Sequence, residues 1–173
     1  NVMISNEKLF DWNIVVSLAV LNVLEMHEIQ KVSIKWPNDI MADSKKVGGI
    51  LIENVLKNGE SFDSVVGIGL NLNQTNFEHL PKATSLKSLT GNEYDIFETA
   101  EEIAEKIQEK FQKLDELMPV FWNKYHEKLF KKDKPLAFED SKKNRFMGII
   151  QGVTHDGKLQ VMLEDDSITF FNI

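Results

Sequence analysis

Two apolar runs that carry paired glycines, separated by a short polar break, limit the folds open to this chain more than any other feature. "KVGGILIENVL" (46–56) and "FDSVVGIGLNLN" (62–73) flank "KNGES", the outline of a long β-hairpin. Both arms are too uniformly apolar for a sheet wet on one side, so the sheet is expected to have a covered face. Gly67 and Gly69 alternate, which puts both on one face of their strand. Gly48 and Gly49 interrupt the other arm, and glycine inside a strand marks a close approach by a ligand or another backbone. Side-chain-free positions on neighbouring strands make a slot over a sheet. A narrow apolar ligand fits such a slot, with Asn71 and the Asn38–Asp39 turn offering hydrogen bonds at its rim.

Around the hairpin the pattern is mixed. "NVMIS" (1–5) reads as the end of a strand, and Asp11 to about Glu28 as a helix. Ile14, Val15, Leu18, Ala19, Leu21, Val23 and Leu24 occupy most of that helix's circumference, so it should be largely buried and back the sheet. "VSIKW" alternates as a strand, and "PND" supplies turn chemistry. "QTNFEHLPKATSLKSLTGNEY" (74–94) has the punctuation of an ordered loop. Asp95 then stands three residues before Glu98 at the head of an amphipathic helix built on Ile96, Ala100, Ile103, Ala104, Ile107, Phe111 and Leu114. A second helix is predicted from near Pro119, tolerated in a first turn, to Phe130. Composition shifts at "KKDKP" (131–135), after which "RFMGIIQGV", "KLQVMLE" and "SITFFNI" form a meander expected to fold as a small β-barrel or sheet. Lys131, Lys132, Lys134, Lys142, Lys143 and Arg145 could meet an acidic partner or nucleic acid, or could serve as an exposed linker that protects edge strands.

The composition excludes several classes. With 173 residues, 42% hydrophobic, the chain can bury a core. A net charge of −7 argues against wholesale nucleic-acid binding. No uninterrupted apolar run reaches the roughly eighteen residues of a membrane span, and no signal peptide is visible, so a cytoplasmic protein is expected. There is no cysteine, and His27, His79, His126 and His155 lack ligand spacing, so no metal site is predicted.

Lys46 opens the first arm beside Gly48 and Gly49, and a cation next to exposed backbone amides suits a phosphate or carboxylate. Taken singly, each element has a plainer reading: a solvated lysine, a bulge, a turn. No glycine-rich turn opens a helix, which removes the dinucleotide fingerprint and the P-loop.

Taken in order and spacing, "KWPNDI", "KKVGGILIE", "VVGIGLNLNQ" and "ATSL" resemble the catalytic domain of the biotin protein ligase, or biotin–[acetyl-CoA-carboxylase] ligase, family. The resemblance runs across nearly the whole chain. It implies an α/β (α+β) fold, a mixed sheet backed by helices in the class II synthetase-like manner of biotin and lipoate ligases. Residues 1–131 would be the catalytic part and 132–173 a small SH3-like C-terminal domain. It implies that biotin and ATP, with Mg2+, give biotinyl-5′-AMP, which then acylates a lysine of a biotin carboxyl carrier protein domain. Lys46 would be the essential cation, and Asp39 would orient the acceptor lysine or take its proton. Lys46, Gly49, Gly67 and Gly69 would hold biotin; Asn38, Asn71 and Lys35 would face the nucleotide. A Ser/Thr-Asn segment and a Gly/Arg-rich loop that the family carries upstream have no counterpart here. The chain is therefore expected to be an N-terminally truncated piece that holds biotinyl-AMP poorly. Its unpaired sheet positions would invite association, a homodimer among the options. The alternatives are a non-catalytic binding module of the same fold and a lipoate ligase-like acyltransferase.

Overall fold

The computed structural model describes residues 9–57, 61–140 and 143–172. The reading of "NVMIS" as a strand, and Lys142 of the basic cluster, lie outside them.

The long buried helix forms as its apolar residues require. It is α1, Leu9–Met26, with Ile14, Val15, Val16, Ala19, Val20, Val23 and Leu24 fully buried. By length and composition alone it would pass for a membrane span, contrary to the sequence expectation, but 61% of that window is buried inside the fold. It packs on the sheet below and on two helices above. Trp12 stacks on Phe111 with centroids 4.9 Å apart, and Phe10 meets Tyr125 edge-on at 5.7 Å.

The sheet runs β1 (Val32–Lys35), β2 (Asp39–Ala42), β3 (Lys45–Lys57), β4 (Ser61–Leu70), antiparallel throughout and in that spatial order. "PND" is therefore more than a turn. It leads into a short strand that sequence alone hides, because Ile40, Met41 and Ala42 are all buried and show no alternation. Ile34, Ile40 and Ile50 occupy the covered face. The opposite face, that of Gly49 and Gly69, is open: Leu51, Val55 and Val65 on it are exposed.

After β4 the chain is an ordered loop as expected, except that Leu86–Thr90 closes into a short helix, α2, capped by Ser85 and ended by Gly91 at φ 82°. Helix α3, Ile96–Gln112, starts where Asp95 predicts, with Asp95 Oδ1 accepting from the amides of Phe97 and Glu98. Helix α4, Leu114–Glu127, begins earlier than Pro119 suggests and holds that proline inside. Proline there costs one intrahelical bond. The apolar face of Leu117, Phe121, Trp122 and Tyr125, packed toward α1, outweighs it.

The meander β5 (Pro135–Glu139), β6 (Arg145–Val153), β7 (Leu159–Leu163), β8 (Ile168–Phe171) is a second four-stranded antiparallel sheet. Among the described residues no β5–β8 pairing closes it into the expected barrel. Arg145 sits on an interior strand beside Glu139 at 3.5 Å, and Lys132 pairs with Asp133 at 2.7 Å. Those basic residues thus answer neighbouring carboxylates and do not line a sheet edge. Trp36 Nε1 donates to Gly157 O at 2.9 Å, tying the end of β1 to the β6–β7 turn.

Candidate functional site

One row of paired residues crosses the open face of the first sheet. Lys35 is opposite Asp39, Asp39 opposite Gly49, and Gly49 opposite Gly69. Two residues along, Leu51 faces Gly67. Because two of these positions in each arm carry at most one side chain between them, the backbone lies bare. A groove of about 410 Å3 results, lined by Asn38, Asp39, Lys46, Gly49, Ile50, Leu51, Gly67, Ile68 and Gly69.

Lys46 reaches this face through a bulge. In a regular strand residues 46 and 49 would point to opposite faces. Here the register shifts between Ile40 and Met41, so that Met41 pairs with Lys46 and Asp39 with Gly49. Positions 39 and 41 share a face of β2, and the lysine is thereby re-aimed onto the glycine side. Its ammonium lies 2.5 Å from Asp39 Oδ1, and a methyl group placed on Gly49 would meet Nζ at 3.4 Å. Lys35 Nζ is 3.7 Å from the other oxygen of Asp39. One carboxylate therefore anchors two cations, leaving a net positive charge at one end of an apolar slot. Such an end accepts a carboxylate or phosphate oxygen.

Asn38 belongs to the groove, but its amide is committed. Nδ2 donates to Ile50 O at 2.8 Å while Ile50 N donates to Asn38 O at 2.9 Å, which locks the turn to β3. Asn71 does not line the groove. Its Nδ2 donates to Thr84 O at 3.0 Å and its Oδ1 accepts from Gln74 at 2.9 Å, so the expected placement at the rim is corrected. Nothing in the sequence says which way an amide turns.

A second, larger cavity of about 930 Å3 was not anticipated. It opens on the other side of Lys46 and Asp39, between the two sheets, with Lys35, Lys45, Lys82 and Lys131 around an apolar floor. Phe138, Phe146 and Phe171 form that floor, stacked with centroids 5.5 and 5.7 Å apart. The "KK" doublet before Val47 was the available signal for its basic rim. Among the described residues no group of three His, Asp or Glu side chains could hold a metal ion.

Residues 3–71 match the model of the biotin/lipoate A/B protein ligase family. The bifunctional ligase/repressor BirA of Escherichia coli K12 is 35% identical over 60 residues, which is 35% of this chain and 19% of BirA. The crystal structure of the biotin protein ligase from Aquifex aeolicus superposes with a TM-score of 0.77 at 28% identity, over 95% of this chain and 72% of that one. Over residues 3–71 this chain is similar to the biotin/lipoate A/B protein ligase family, and its fold is that of the Aquifex biotin protein ligase. The same Aquifex ligase, in complex with biotin and ATP, aligns at TM-score 0.76 and 28% identity, over 94% of this chain and 68% of that one. The matched segment spans only about a fifth of the BirA sequence, and the family model covers α1 and the first sheet with its glycine-lined groove. The second sheet is matched through the superposition on the Aquifex ligase.

Proposed function

We propose that this protein activates biotin with ATP and passes the acyl group to a lysine of a biotin carboxyl carrier domain. The observation that carries the reading is the ammonium of Lys46, held at 2.5 Å by Asp39 over the bare backbone at Gly49. The ability of the Aquifex relative to bind biotin and ATP supports it. In the first step a biotin carboxylate oxygen forms a bond to the α-phosphorus of ATP, and the bond to the bridging oxygen breaks, releasing pyrophosphate. Two anions must approach each other, and a fixed cation lowers that barrier as charge gathers on the phosphate. Lys46 supplies it, and Lys35 adds potential. In the second step the acceptor amine attacks the acyl carbon, an amide forms, a proton is lost and AMP leaves. Asp39 is the group that orients the incoming amine or takes its proton. In this reading Mg2+ arrives with the substrate as MgATP, and no step here is routed through a resident ion.

The test is Lys46→Ala, followed by biotin-dependent exchange of pyrophosphate into ATP. Charge-assisted contacts contribute about 1.5 to 3 kcal/mol, so the rate should fall roughly ten- to a hundredfold or more with the fold intact. A folded Lys46→Ala protein exchanging at the wild-type rate would refute the assignment.

A further inference from the structure

The "ATSL" motif has so far been given no task, yet it touches the backbone of the candidate catalytic lysine. Along the edge of β3, strand β4 supplies partners as far as Leu70, opposite Gly48. Asn71 continues the ladder, its N–H donating to Val47 O at 2.8 Å. At Lys46 a different segment takes over. Lys46 N donates to Lys82 O at 2.7 Å, and Thr84 N donates to Lys46 O at 2.9 Å, a parallel bridge centred on Ala83. Both backbone polar groups of Lys46 are thus held by residues 82–84 at the bulge that turns its side chain toward the groove.

What holds this strap in place is Asn71. Its side-chain amide donates to Thr84 O at 3.0 Å, and its backbone carbonyl accepts from Leu86 N at 3.0 Å. The Thr84 peptide groups are therefore gripped on one side by Lys46 and on the other by Asn71. Thr84 and Ser85 are buried and Ser85 caps α2, so the second half of the strap is shut off from solvent. A bulge lacks a regular ladder on its own strand pair, so the aim of its side chain depends on what occupies the remaining edge.

We propose that Asn71 is a positioning residue for Lys46, acting through the strap of residues 82–86 rather than by touching substrate. This rests on the role given to Lys46 above, and it makes a claim about the backbone that stands or falls separately. In Asn71→Ala, amide hydrogen exchange at Lys46 and Thr84 should quicken at least tenfold, while exchange at Ile50, bonded to Asn38 O, stays as in the parent. Asn71→Asp keeps an acceptor for Gln74 but deletes the donor to Thr84, and it should share that effect. Pyrophosphate exchange should fall in Asn71→Ala, yet Asn71→Ala should add no further loss in a Lys46→Ala background. Unchanged exchange at the Lys46 amide, or loss of fold in both variants, overturns the proposal. So does an equal loss of rate in both backgrounds, which would mean that Asn71 contacts the nucleotide itself. If Lys46→Ala alone keeps full activity, the catalytic reading fails, while the exchange result still decides the strap.

Discussion

Four glycines lie within the paired stretch of β3 and β4, and the structure separates one from the other three. A methyl group on Gly48 would sit 2.6 Å from the carbonyl oxygen of Gly69 and 3.1 Å from Leu70 Cδ1. The first of these is backbone, which cannot swing aside. At Gly69 the nearest atom would be Gly49 O at 3.9 Å, and at Gly67 Leu51 O at 3.8 Å, both ordinary contacts. Gly49 is intermediate, its methyl group meeting the flexible end of Lys46 at 3.4 Å. The protein itself therefore has no objection to a side chain at 67 or 69; only an occupant of the groove would. Gly67→Ala and Gly69→Ala should fold as well as the parent, gaining up to about 0.5 to 1 kcal/mol from a less flexible unfolded chain. Gly48→Ala should lose about 1 to 3 kcal/mol through forced strand separation. For a ligand lying on the bare backbone, the same overpacking of about 1 to 3 kcal/mol at Gly69 is roughly a five- to 150-fold weaker affinity. Gly69→Val should abolish binding. Urea denaturation and biotin titration calorimetry on the same four preparations separate the two effects. A folded Gly69→Val protein that binds biotin like the parent would show that the ligand lies elsewhere. A Gly48→Ala protein as stable as the parent would show that the register of β3 and β4 is wrong.

Further expectations concern other groups. Among the described residues the fully buried Tyr125 hydroxyl has no hydrogen-bond partner, and an orphaned polar group costs about 1 to 3 kcal/mol, so Tyr125→Phe should raise neutral-pH stability in urea by about 1 kcal/mol. Burial also pushes the phenol well above its ordinary value of 10.0. Above that pH the unfolded chain binds fewer protons than the folded one, so the parent should lose about 1.4 kcal/mol per pH unit that Tyr125→Phe does not lose; equal alkaline slopes would contradict this. Asp95→Ala removes the acceptor for two amides and should cost about 1 kcal/mol in denaturation while leaving biotin affinity unchanged. Asp39→Asn frees both Lys35 and Lys46 from their shared counter-charge. Transfer from preformed biotinyl-AMP to a carrier should slow at least roughly tenfold in single-turnover measurement, and an unchanged rate would remove Asp39 from the transfer step.

The sequence made the periodic parts legible. Helix α3 starts where Asp95 and the three-and-four spacing place it, and the hairpin forms between the two glycine-bearing runs. Asn38, Asp39, Lys46, Gly49, Gly67 and Gly69 are found around one groove. What stayed hidden depends on contacts distant along the chain or on a choice of geometry. Strand β2 has no alternation because Met41, on the face of Asp39, is buried along with Ile40 and Ala42. The bulge that turns Lys46 toward Gly49 leaves no mark in composition, since any residue can stand at it. Asn71 shows its amide, but not that Thr84 would claim it. The bond from Trp36 to Gly157 spans 121 positions, and neither residue announces the other. The terminal meander forms the expected sheet, but strand patterning says how residues alternate and not which edges meet.

Lys46 and Asp39 border both cavities, the narrow glycine channel and the broad basic chamber under the second sheet. A molecule with two separate doors opening on one shared partition can admit one reagent through each. Neither has to wait for the other to withdraw, and whatever is made at the partition can depart by the wider exit.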